Sequence, residues 1–260
     1  MKMKIRVANP AGNITVFVMD KVQREDYAKI SAQILDRKEL HAEQVGFIEQ
    51  EGKAVHMQMM GGEFCGNATR SFAYLLSMLS DEKPEEVLVD VSGSDRPLKA
   101  EINPEKGTSR VEMPLPVDRK ELRLGEKAVY PVVVFDGICH IIAEGAPGEQ
   151  ELVDRLIAEA EKICPCDAYG VMFLQKEHMV PVVYVKETDS MVWESSCGSG
   201  SMGAAVYLSE QEKDGSFVYR LHQPGGVIEA SVCKENGKVI SCKMGGPVEI
   251  SGEIEIEVNV

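Results

Sequence analysis

Two cysteines in matching sequence contexts are the residues best suited to do chemistry in this chain. Cys65 opens the segment CGNATRSFAYLLS, and Cys197 opens CGSGSMGAAVYLS at an offset of 132 residues (65 to 197). Each cysteine is followed by glycine, by a small or polar residue, and then by an apolar stretch that predicts a buried helix. The repeat therefore predicts one site to which each half of the chain contributes a thiol.

Two thiols on opposite faces of a carbon atom suit the inversion of a stereocentre. One thiolate removes a proton from one face, the other thiol returns a proton to the opposite face, and the roles exchange with substrate handedness. Because a helix N-terminus lowers the pKa of cysteine from about 8.5 to roughly 3.5–7.5, we expect both thiols to ionise readily. The first-turn N–H groups are expected to bind a substrate carboxylate; they belong to Gly66, Asn67, Gly198, Ser199 and Gly200. The sequence thus predicts an amino-acid racemase or epimerase.

The composition is that of an ordinary soluble globular chain and argues against several kinds of partner. The 260 residues are 44% hydrophobic and 27% charged, enough for one long domain or two small ones. A net charge of −14 argues against nucleic acid and anionic membrane surfaces as partners. No apolar run approaches the roughly 20 residues of a spanning helix, and the start MKMKIRVANPAGN has no signal-peptide core. These features predict a cytoplasmic protein.

The remaining cysteines and the histidines show no pattern of metal ligands. The chain has seven cysteines, which a reducing compartment would keep as free thiols. Cys164 and Cys166 have one residue between them, and no second pair has zinc-finger spacing, so no metal site is predicted. Because no Rossmann motif, phosphate-binding loop or lysine in a pyridoxal-phosphate context occurs, we predict chemistry without a cofactor.

The repeat extends beyond the cysteines and predicts two homologous halves. SRVEMPLPV aligns with ISCKMGGPV, and VSGSD aligns with QPGGV, at offsets of 131 and 132 residues. We predict a division into residues 1–118 and 119–260. The predicted fold class is α+β: two pseudo-symmetric halves, each a mixed sheet wrapped around a central helix, with the active site in the cleft between them.

The periodicity of hydrophobic residues predicts the strands and helices of the two halves. Alternating strands are predicted at residues 13–18, 130–135 and 138–142. Amphipathic helices are predicted at residues 27–35 and 152–163, where apolar side chains recur on one face. The cysteine-headed helices are apolar nearly all round, so we expect them at the centre of each half.

Five motifs in order resemble the diaminopimelate-epimerase-like superfamily, whose members carry one catalytic cysteine in each half. They are NPAGNITVFV, AEQVGFIE, GGEFCGNAT, VWESSCGSGS and HQPGG, and they span the whole chain. The nearer resemblance is to the histidine racemase branch that serves the biosynthesis of staphylopine-type metallophores. This resemblance implies a racemase that interconverts L- and D-histidine without a cofactor.

Departures from diaminopimelate epimerases favour that narrower resemblance. Those enzymes have a Gly-Asn-Asp-Phe start, whereas here Gly12-Asn13 is followed by isoleucine. They also have a Glu-Arg pair eight to nine residues before the second cysteine, where this chain has Thr188 and Asp189. Without the arginine, a distal substrate carboxylate has no bidentate anchor. A substrate with an imidazole, or another neutral or cationic tail, fits better.

The resemblance also implies roles for single residues and an oligomeric state. Cys65 and Cys197 would be the two bases, and Asn13 would hydrogen-bond the substrate amino or carboxylate group. Glu43 would contact the substrate ammonium or imidazole. The implied assembly is a homodimer, and the implied partner is a small amino acid. Four further residues are given other roles: Glu63 and Glu194 as exposed or helix-entry charges, His222 as part of a turn, and His140 as a structural residue.

Other functions remain open on the sequence alone. Within the enzyme class these are diaminopimelate epimerase and, more distantly, proline or hydroxyproline racemase. In a different class, Cys65 and Cys197 would act as a redox or metal-holding dithiol. A protein that binds an amino acid without exchanging its α-proton is a third possibility.

Overall fold

The computed structural model of the protein describes residues 1–52 and 54–259. Within them the chain forms four α-helices: α1 (Tyr27–Leu35), α2 (Gly66–Leu79), α3 (Gln150–Ile163) and α4 (Gly198–Leu208). The strands are β1 (Lys2–Asn9), β2 (Thr15–Val18), β3 (Gln44–Glu51), β4 (Ala54–Met59), β5 (Glu86–Val91), β6 (Leu98–Asn103), β7 (Thr108–Met113), β8 (Asp118–Leu124), β9 (Ala128–Phe135), β10 (Ile138–Glu144), β11 (Ala168–Gln175), β12 (His178–Val185), β13 (Ser190–Trp193), β14 (Gly215–Gln223), β15 (Gly226–Glu235), β16 (Lys238–Pro247), β17 (Glu249–Ile250) and β18 (Ile254–Glu257). None of the described helices is long and apolar enough to cross a membrane.

The first compact unit, Met1–Glu112 with Gly245–Val260, contains a mixed sheet. Strand β1 pairs antiparallel with β2, β17 and β18, and β2 pairs parallel with β3. From β3 the sheet continues through antiparallel β4, and β5 pairs parallel with β4. Helix α1 buries Tyr27, Ile30 and Ile34 at helical spacing against the apolar face of β1, β2 and β3. Helix α2 packs against β1, β5 and β6.

The second compact unit, Met113–Met244, also contains a mixed sheet. Strands β8, β9 and β10 pair antiparallel, β10 and β11 pair parallel, and β12 and β13 continue antiparallel. Helix α3 makes the crossover between β10 and β11, two strands whose long apolar runs are buried on both faces. Helix α4 packs against β9, β10, β11 and β15. Seven consecutive residues of α4, 200–206, are buried, which confirms the prediction of a helix apolar nearly all round.

The predicted α+β class is confirmed, while the unit boundary differs from the predicted division at residue 118. Residues 113–118 group with the second unit, and Gly245–Val260 group with the first. The C-terminal residues belong there because β18 pairs with β1, with Met3 opposite Ile256 and Ile5 opposite Ile254. Sequence periodicity alone does not reveal which strand a terminal segment will pair with.

The predicted helices are confirmed, and the first strands differ from the sequence interpretation. Strand β1 at Lys2–Asn9 precedes the predicted strand, which itself is shorter and begins at Thr15. The turn between β1 and β2 explains the shortening: Ala11 and Gly12 have φ values of 62° and 95°. The left-handed conformation costs a non-glycine residue such as Ala11 about 1 kcal/mol or more. This strained turn leads directly into Asn13.

A fully buried histidine in the second unit predicts acid-sensitive stability. His140 on β10 is 0% exposed, and burial lowers its pKa to about 3. A Cβ at Gly170 would lie 2.3 Å from His140 Nδ1, and one at Gly203 would lie 3.1 Å from His140 Cβ, so two glycines make room for the ring. Neither ring nitrogen is hydrogen-bonded to another described residue. The imidazole is therefore held neutral in the core.

Acidification is expected to destabilise the protein through this imidazole. In the unfolded chain a histidine takes up a proton near pH 6.5, whereas the folded state resists protonation until about pH 3. The contribution of His140 to the free energy of unfolding is therefore complete above pH 6.5 and falls by up to roughly 1.4 kcal/mol per pH unit below it. Urea unfolding of the wild type and His140→Gln between pH 7 and 4.5 measures the difference. Equal pH dependence of the two proteins would contradict this prediction, and exposed His178→Gln is the matched control.

Candidate active site

The two repeated cysteines occupy equivalent positions at the N-termini of α2 and α4. Cys65 caps α2 in an extended conformation (φ −128°, ψ 111°), and its Sγ accepts a hydrogen bond from the Ala68 N–H at 3.4 Å. Cys197 caps α4 with φ −121° and ψ 116°, and its Sγ accepts from the Gly200 N–H at 3.4 Å. The sulfur thus takes the place of the oxygen acceptor usual at an N-cap. The structure places both thiols where the sequence predicts them.

In the first unit a polar network surrounds Cys65 and includes both other predicted side chains. Asn13 Nδ2 donates to Glu43 Oε2 at 3.1 Å, and Asn13 Oδ1 lies 3.9 Å from Cys65 Sγ as the acceptor of a weak hydrogen bond. Gln44 Nε2 donates to Asn13 Oδ1 at 2.7 Å and to Thr15 Oγ1 at 2.8 Å. The buried amide of Gln44 therefore fixes the Asn13 side chain from behind. Sequence reasoning missed Gln44, although its position next to Glu43 was a usable signal.

In the second unit a buried glutamine holds the cap of α4. Gln223 Oε1 accepts from the Cys197 N–H at 2.8 Å, and Gln223 Nε2 donates to Ser201 Oγ at 2.9 Å. Ser201 Oγ in turn donates to the Cys197 carbonyl at 2.6 Å. Ser199 Oγ lies 3.7 Å from Cys197 Sγ. Gln223 belongs to the HQPGG motif, in which the sequence analysis had singled out only His222.

The first helical turns provide fewer N–H groups for a ligand than the sequence suggests. The Gly200 N–H, one of the five expected carboxylate donors, is directed at Cys197 Sγ. A Cβ at Gly200 would lie 2.2 Å from Met172 Sδ and 3.2 Å from Cys197 Sγ, so a larger residue there would displace the Met172 side chain. The absence of a side chain at Gly200 therefore lets the helix pack closely against Met172 in the core, and not against a ligand. Gly66 and Asn67 are buried at the start of α2, and Gly198 and Ser199 are half-buried at the start of α4.

A completely buried arginine in the first unit holds the cysteine-bearing helix and was missed by sequence reasoning. Arg70 is 0% exposed, and burial lowers its pKa to about 10. Its Nε donates to Asn67 Oδ1 at 3.2 Å, Nη1 to the Pro247 carbonyl at 2.9 Å, and Nη2 to the Pro10 carbonyl at 2.9 Å. One guanidinium therefore ties the first turn of α2 to the strained turn before Asn13 and to the C-terminal segment. In the sequence it resembles any polar helix residue.

The weaker candidates from the sequence lie in different surroundings. His222 is exposed, and its ring stacks on His178 with centroids 5.2 Å apart. His140 is the buried core residue described above. Glu63 is exposed, and its charge raises the pKa of Cys65. Glu194, expected as an exposed or helix-entry charge, is half-buried shortly before the start of α4 and is hydrogen-bonded to Cys197.

Comparison with known proteins identifies the family. A family model described as the histidine racemase CntK N-terminal domain matches residues 2–256. A histidine racemase of Fusobacterium nucleatum subsp. nucleatum is 33% identical in an alignment 263 residues long. The alignment covers 96% of this chain and 95% of the relative. This chain belongs to the histidine racemase family. A second member, the histidine racemase of Staphylococcus aureus (strain Mu50), is 29% identical over 96% of both chains.

Family membership makes the protein an isomerase of the amino-acid racemase type. The fold agrees with a solved structure of a PhzF-family phenazine biosynthesis protein from Enterococcus faecalis, with a TM-score of 0.68 at 14% identity. The alignment covers 99% of this chain and 100% of that chain. At such low identity the likeness concerns the fold alone, which is α+β with mixed sheets and few helices.

The acidity of the two thiols differs from the sequence expectation. Burial raises the pKa of the Cys65 thiol, although the Ala68 N–H and the Gln44 amide oppose the shift. Burial also raises the pKa of Cys197 well above its ordinary value, and the neighbouring Glu194 carboxylate adds to the rise. The expected lowering of the pKa at a helix N-terminus is therefore wrong for both residues, because loss of solvation of the thiolate outweighs the hydrogen bonds donated to the sulfur.

Proposed function

We propose that this protein interconverts L- and D-histidine by a two-base mechanism that needs no cofactor. One cysteine removes the α-proton as a thiolate, and the other donates its S–H proton to the opposite face of the carbanion. After one turnover the two protonation states are exchanged, so the enzyme is ready for the opposite enantiomer. The observation that carries the proposal is the pair of equivalent thiol caps in a chain of the histidine racemase family.

The proposal includes the predicted pseudo-symmetric halves, with Cys65 and Cys197 directed at one substrate between them. The equivalent cap conformations support it, since each thiol has an extended backbone and a third-residue N–H donor. A carbanion next to a carboxylate needs stabilisation of the negative charge that develops there. The N-terminal ends of two helices would supply it, with first-turn N–H groups of Gly66, Asn67, Gly198 and Ser199 near the carboxylate.

The surroundings of the two cysteines suggest which one is the base in the resting enzyme. The Glu194 carboxylate accepts the Cys197 S–H and repels a thiolate there, so it holds the proton on Cys197. The side-chain hydrogen bond that Cys65 receives from Gln44 favours its thiolate. Because burial raises the pKa of both thiols, only part of the enzyme carries a thiolate at neutral pH. We infer that in this part the thiolate is on Cys65 and the thiol on Cys197, so that this form accepts one histidine enantiomer and the exchanged form accepts the other.

Glu43 and Asn13 are proposed to bind the cationic part of the substrate. The Glu43 carboxylate is exposed, and Asn13 Nδ2 holds one of its oxygens at 3.1 Å. A carboxylate in this position can pair with the α-ammonium group or with the imidazole N–H of histidine. Because Asn13 also contacts Cys65, the bound cation would lie beside the thiolate that removes the proton.

Deuterium exchange tests the proposed function directly. When the enzyme is incubated with L-histidine in D₂O, we expect loss of optical rotation together with deuterium at the α-carbon of the product. Diaminopimelate, proline and other amino acids are the substrate controls. A dithiol redox protein would neither exchange the proton nor lower the rotation, and a binding protein would retain histidine unchanged. Inversion of diaminopimelate in preference to histidine would overturn the substrate assignment and leave the two-base mechanism intact.

The pH dependence of the reaction is expected to follow the raised thiol pKa values. Because burial raises the pKa of both cysteines, a smaller fraction of the base is ionised at neutral pH, and kcat/KM should still rise with pH at pH 7. Replacing Glu194 by glutamine removes the negative charge that raises the pKa of Cys197. The rise of kcat/KM with pH should therefore occur at lower pH in this variant. Glu187→Gln, an exposed residue in the same unit, is the control. An unchanged profile for Glu194→Gln would contradict the role of this carboxylate.

Two further predictions accompany the proposed function. The family resemblance implies a homodimer, which sedimentation equilibrium of the purified chain would establish. The sequence also predicts a cytoplasmic location, which cell fractionation would test.

A further inference from the structure

Three cysteines that the proposed reaction does not use converge in the second unit. Cys139 lies on β10, and Cys164 and Cys166 lie in the connection from α3 to β11. Their three Sγ atoms lie within 4.8 Å of one another, and Cys164 Sγ is 3.5 Å from Cys166 Sγ. Cys139 and Cys164 are buried, while Cys166 is partly exposed. Two of these thiols are separated by a single residue in sequence, and only the fold adds the third.

The spacing of the three sulfurs suits a common metal ion. A metal bonded to sulfur at about 2.3 Å requires sulfur–sulfur separations of roughly 3.8–4.0 Å in tetrahedral or trigonal geometry. Cys164 Sγ and Cys166 Sγ are 3.5 Å apart, and no pair of the three sulfurs is more than 4.8 Å apart. Changes in the side-chain torsion angles would bring the sulfurs to the separations that a common ion requires. The partial exposure of Cys166 leaves a route for the ion from solvent.

The backbone that carries these thiols is held in place by its own hydrogen bonds. Tyr169 Oη accepts from the Cys166 N–H at 2.8 Å and donates to the Cys164 carbonyl at 3.0 Å. Tyr169 also stands opposite Cys139 in the parallel pairing of β10 with β11. The Cys164 N–H closes the end of α3 by donating to the Ala160 carbonyl at 2.8 Å. One tyrosine side chain therefore holds the backbone of Cys164 and Cys166, and the strand pairing sets Cys139 beside it, much as residues surrounding metal ligands commonly orient them.

We propose that Cys139, Cys164 and Cys166 form a three-thiolate site for a soft metal ion, Cu(I). Within the part of the chain that the structure describes, the cluster contains three sulfurs and no histidine or carboxylate ligand. Soft thiolate ligands suit Cu(I), zinc and iron–sulfur clusters. Structural zinc sites almost always take four protein ligands, so a set of three thiolates fits Cu(I) better. The ion replaces the thiol protons, so binding releases up to three protons and joins the end of α3 to β10. The site is separate in sequence and in its residues from the Cys65 and Cys197 caps.

Copper titration of the full-length chain tests this site. The reduced protein is titrated with Cu(I) against a colorimetric Cu(I) chelator under anaerobic conditions, and thermal unfolding is followed in parallel. We expect one tightly bound equivalent, a thiolate-to-copper charge-transfer band and a rise in Tm. The Cys65→Ser/Cys197→Ser double variant should retain all three, which separates this site from the catalytic thiols. Cys166→Ser should lose the equivalent and the rise in Tm, and Cys233→Ser should retain them.

The competing outcomes are distinguishable in the same preparations. If the Cys166→Ser variant binds Cu(I) as the wild type does, the proposal is overturned. It is also overturned if Zn(II) displaces Cu(I) from the wild type, or if the chelator removes all the copper. Formation of a Cys164–Cys166 disulfide in air, with no copper bound to the reduced chain, would assign the cluster a redox role instead. The Cys139→Ala variant tests Cys139 as the third ligand, because the small alanine side chain leaves the Cys164 and Cys166 thiols in place.

Discussion

Replacement of either Cys65 or Cys197 by serine is expected to lower the rate of histidine racemisation by about 10³-fold or more. A serine hydroxyl at the same cap has a pKa far too high to supply a base at neutral pH, and it is a weaker acid than a thiol. The loss should appear in kcat rather than in KM, because serine preserves the size and the cap geometry of the residue. Polarimetry with L- and D-histidine measures the effect in both directions.

A finer result separates a two-base mechanism from a merely structural role of these thiols. With one base left, a variant can remove and return a proton on one face only, so it exchanges the α-proton without inversion. We expect Cys65→Ser and Cys197→Ser to retain slow exchange in D₂O for opposite enantiomers of histidine. Cys233→Ser, which removes a half-buried thiol elsewhere in the second unit, is the matched control and should racemise normally. Near-normal racemisation by either cap variant would refute the mechanism.

Replacement of Arg70 by methionine is expected to cost the first unit about 3–5 kcal/mol of the free energy of unfolding. Methionine fills much of the same volume, but it leaves the Pro10 and Pro247 carbonyls and the Asn67 side-chain oxygen without their donor. Each buried acceptor without a partner costs roughly 1–3 kcal/mol, and removal of the desolvated charge returns part of the loss. Since domains of this kind are stable by only about 5–15 kcal/mol, the variant should unfold at a much lower urea concentration.

The design of the Arg70 experiment distinguishes a buried hydrogen-bonding role from loss of charge alone. Arg96→Met is the matched control: Arg96 makes an exposed ion pair with Glu112 in the same unit, for which the expected cost is below about 1 kcal/mol. Arg70→Lys keeps the charge and loses the planar fork, so it should be intermediate. If Arg70→Met is insoluble, the lysine variant still gives a measurable loss. Wild-type stability of the lysine variant would contradict the role of the three hydrogen bonds.

The sequence by itself was sufficient for the helix starts and for the position of the two thiols. Cys65 and Cys197 each precede a glycine and an apolar run of helical period, a local pattern that depends on few distant contacts. Helices α2 and α4 begin one residue after each cysteine, as that pattern predicts. Asn13 and Glu43, to which the family resemblance assigned substrate contacts, lie in the polar network around Cys65, and those substrate contacts stay predictions.

Only the tertiary structure decided the acidity of the thiols and the contacts that support them. The helix N-terminus favours a thiolate, but burial acts in the opposite direction and is the larger effect, and burial is a property of the packed chain. Gln44, Gln223 and Arg70 gained their roles from partners up to 177 residues away in sequence, as in the Arg70–Pro247 hydrogen bond. The third thiol beside Cys164 and Cys166 likewise comes from a neighbouring strand. Local residue order predicts where a helix begins, whereas desolvation and long-range hydrogen bonds exist only once the strands have paired and closed around it.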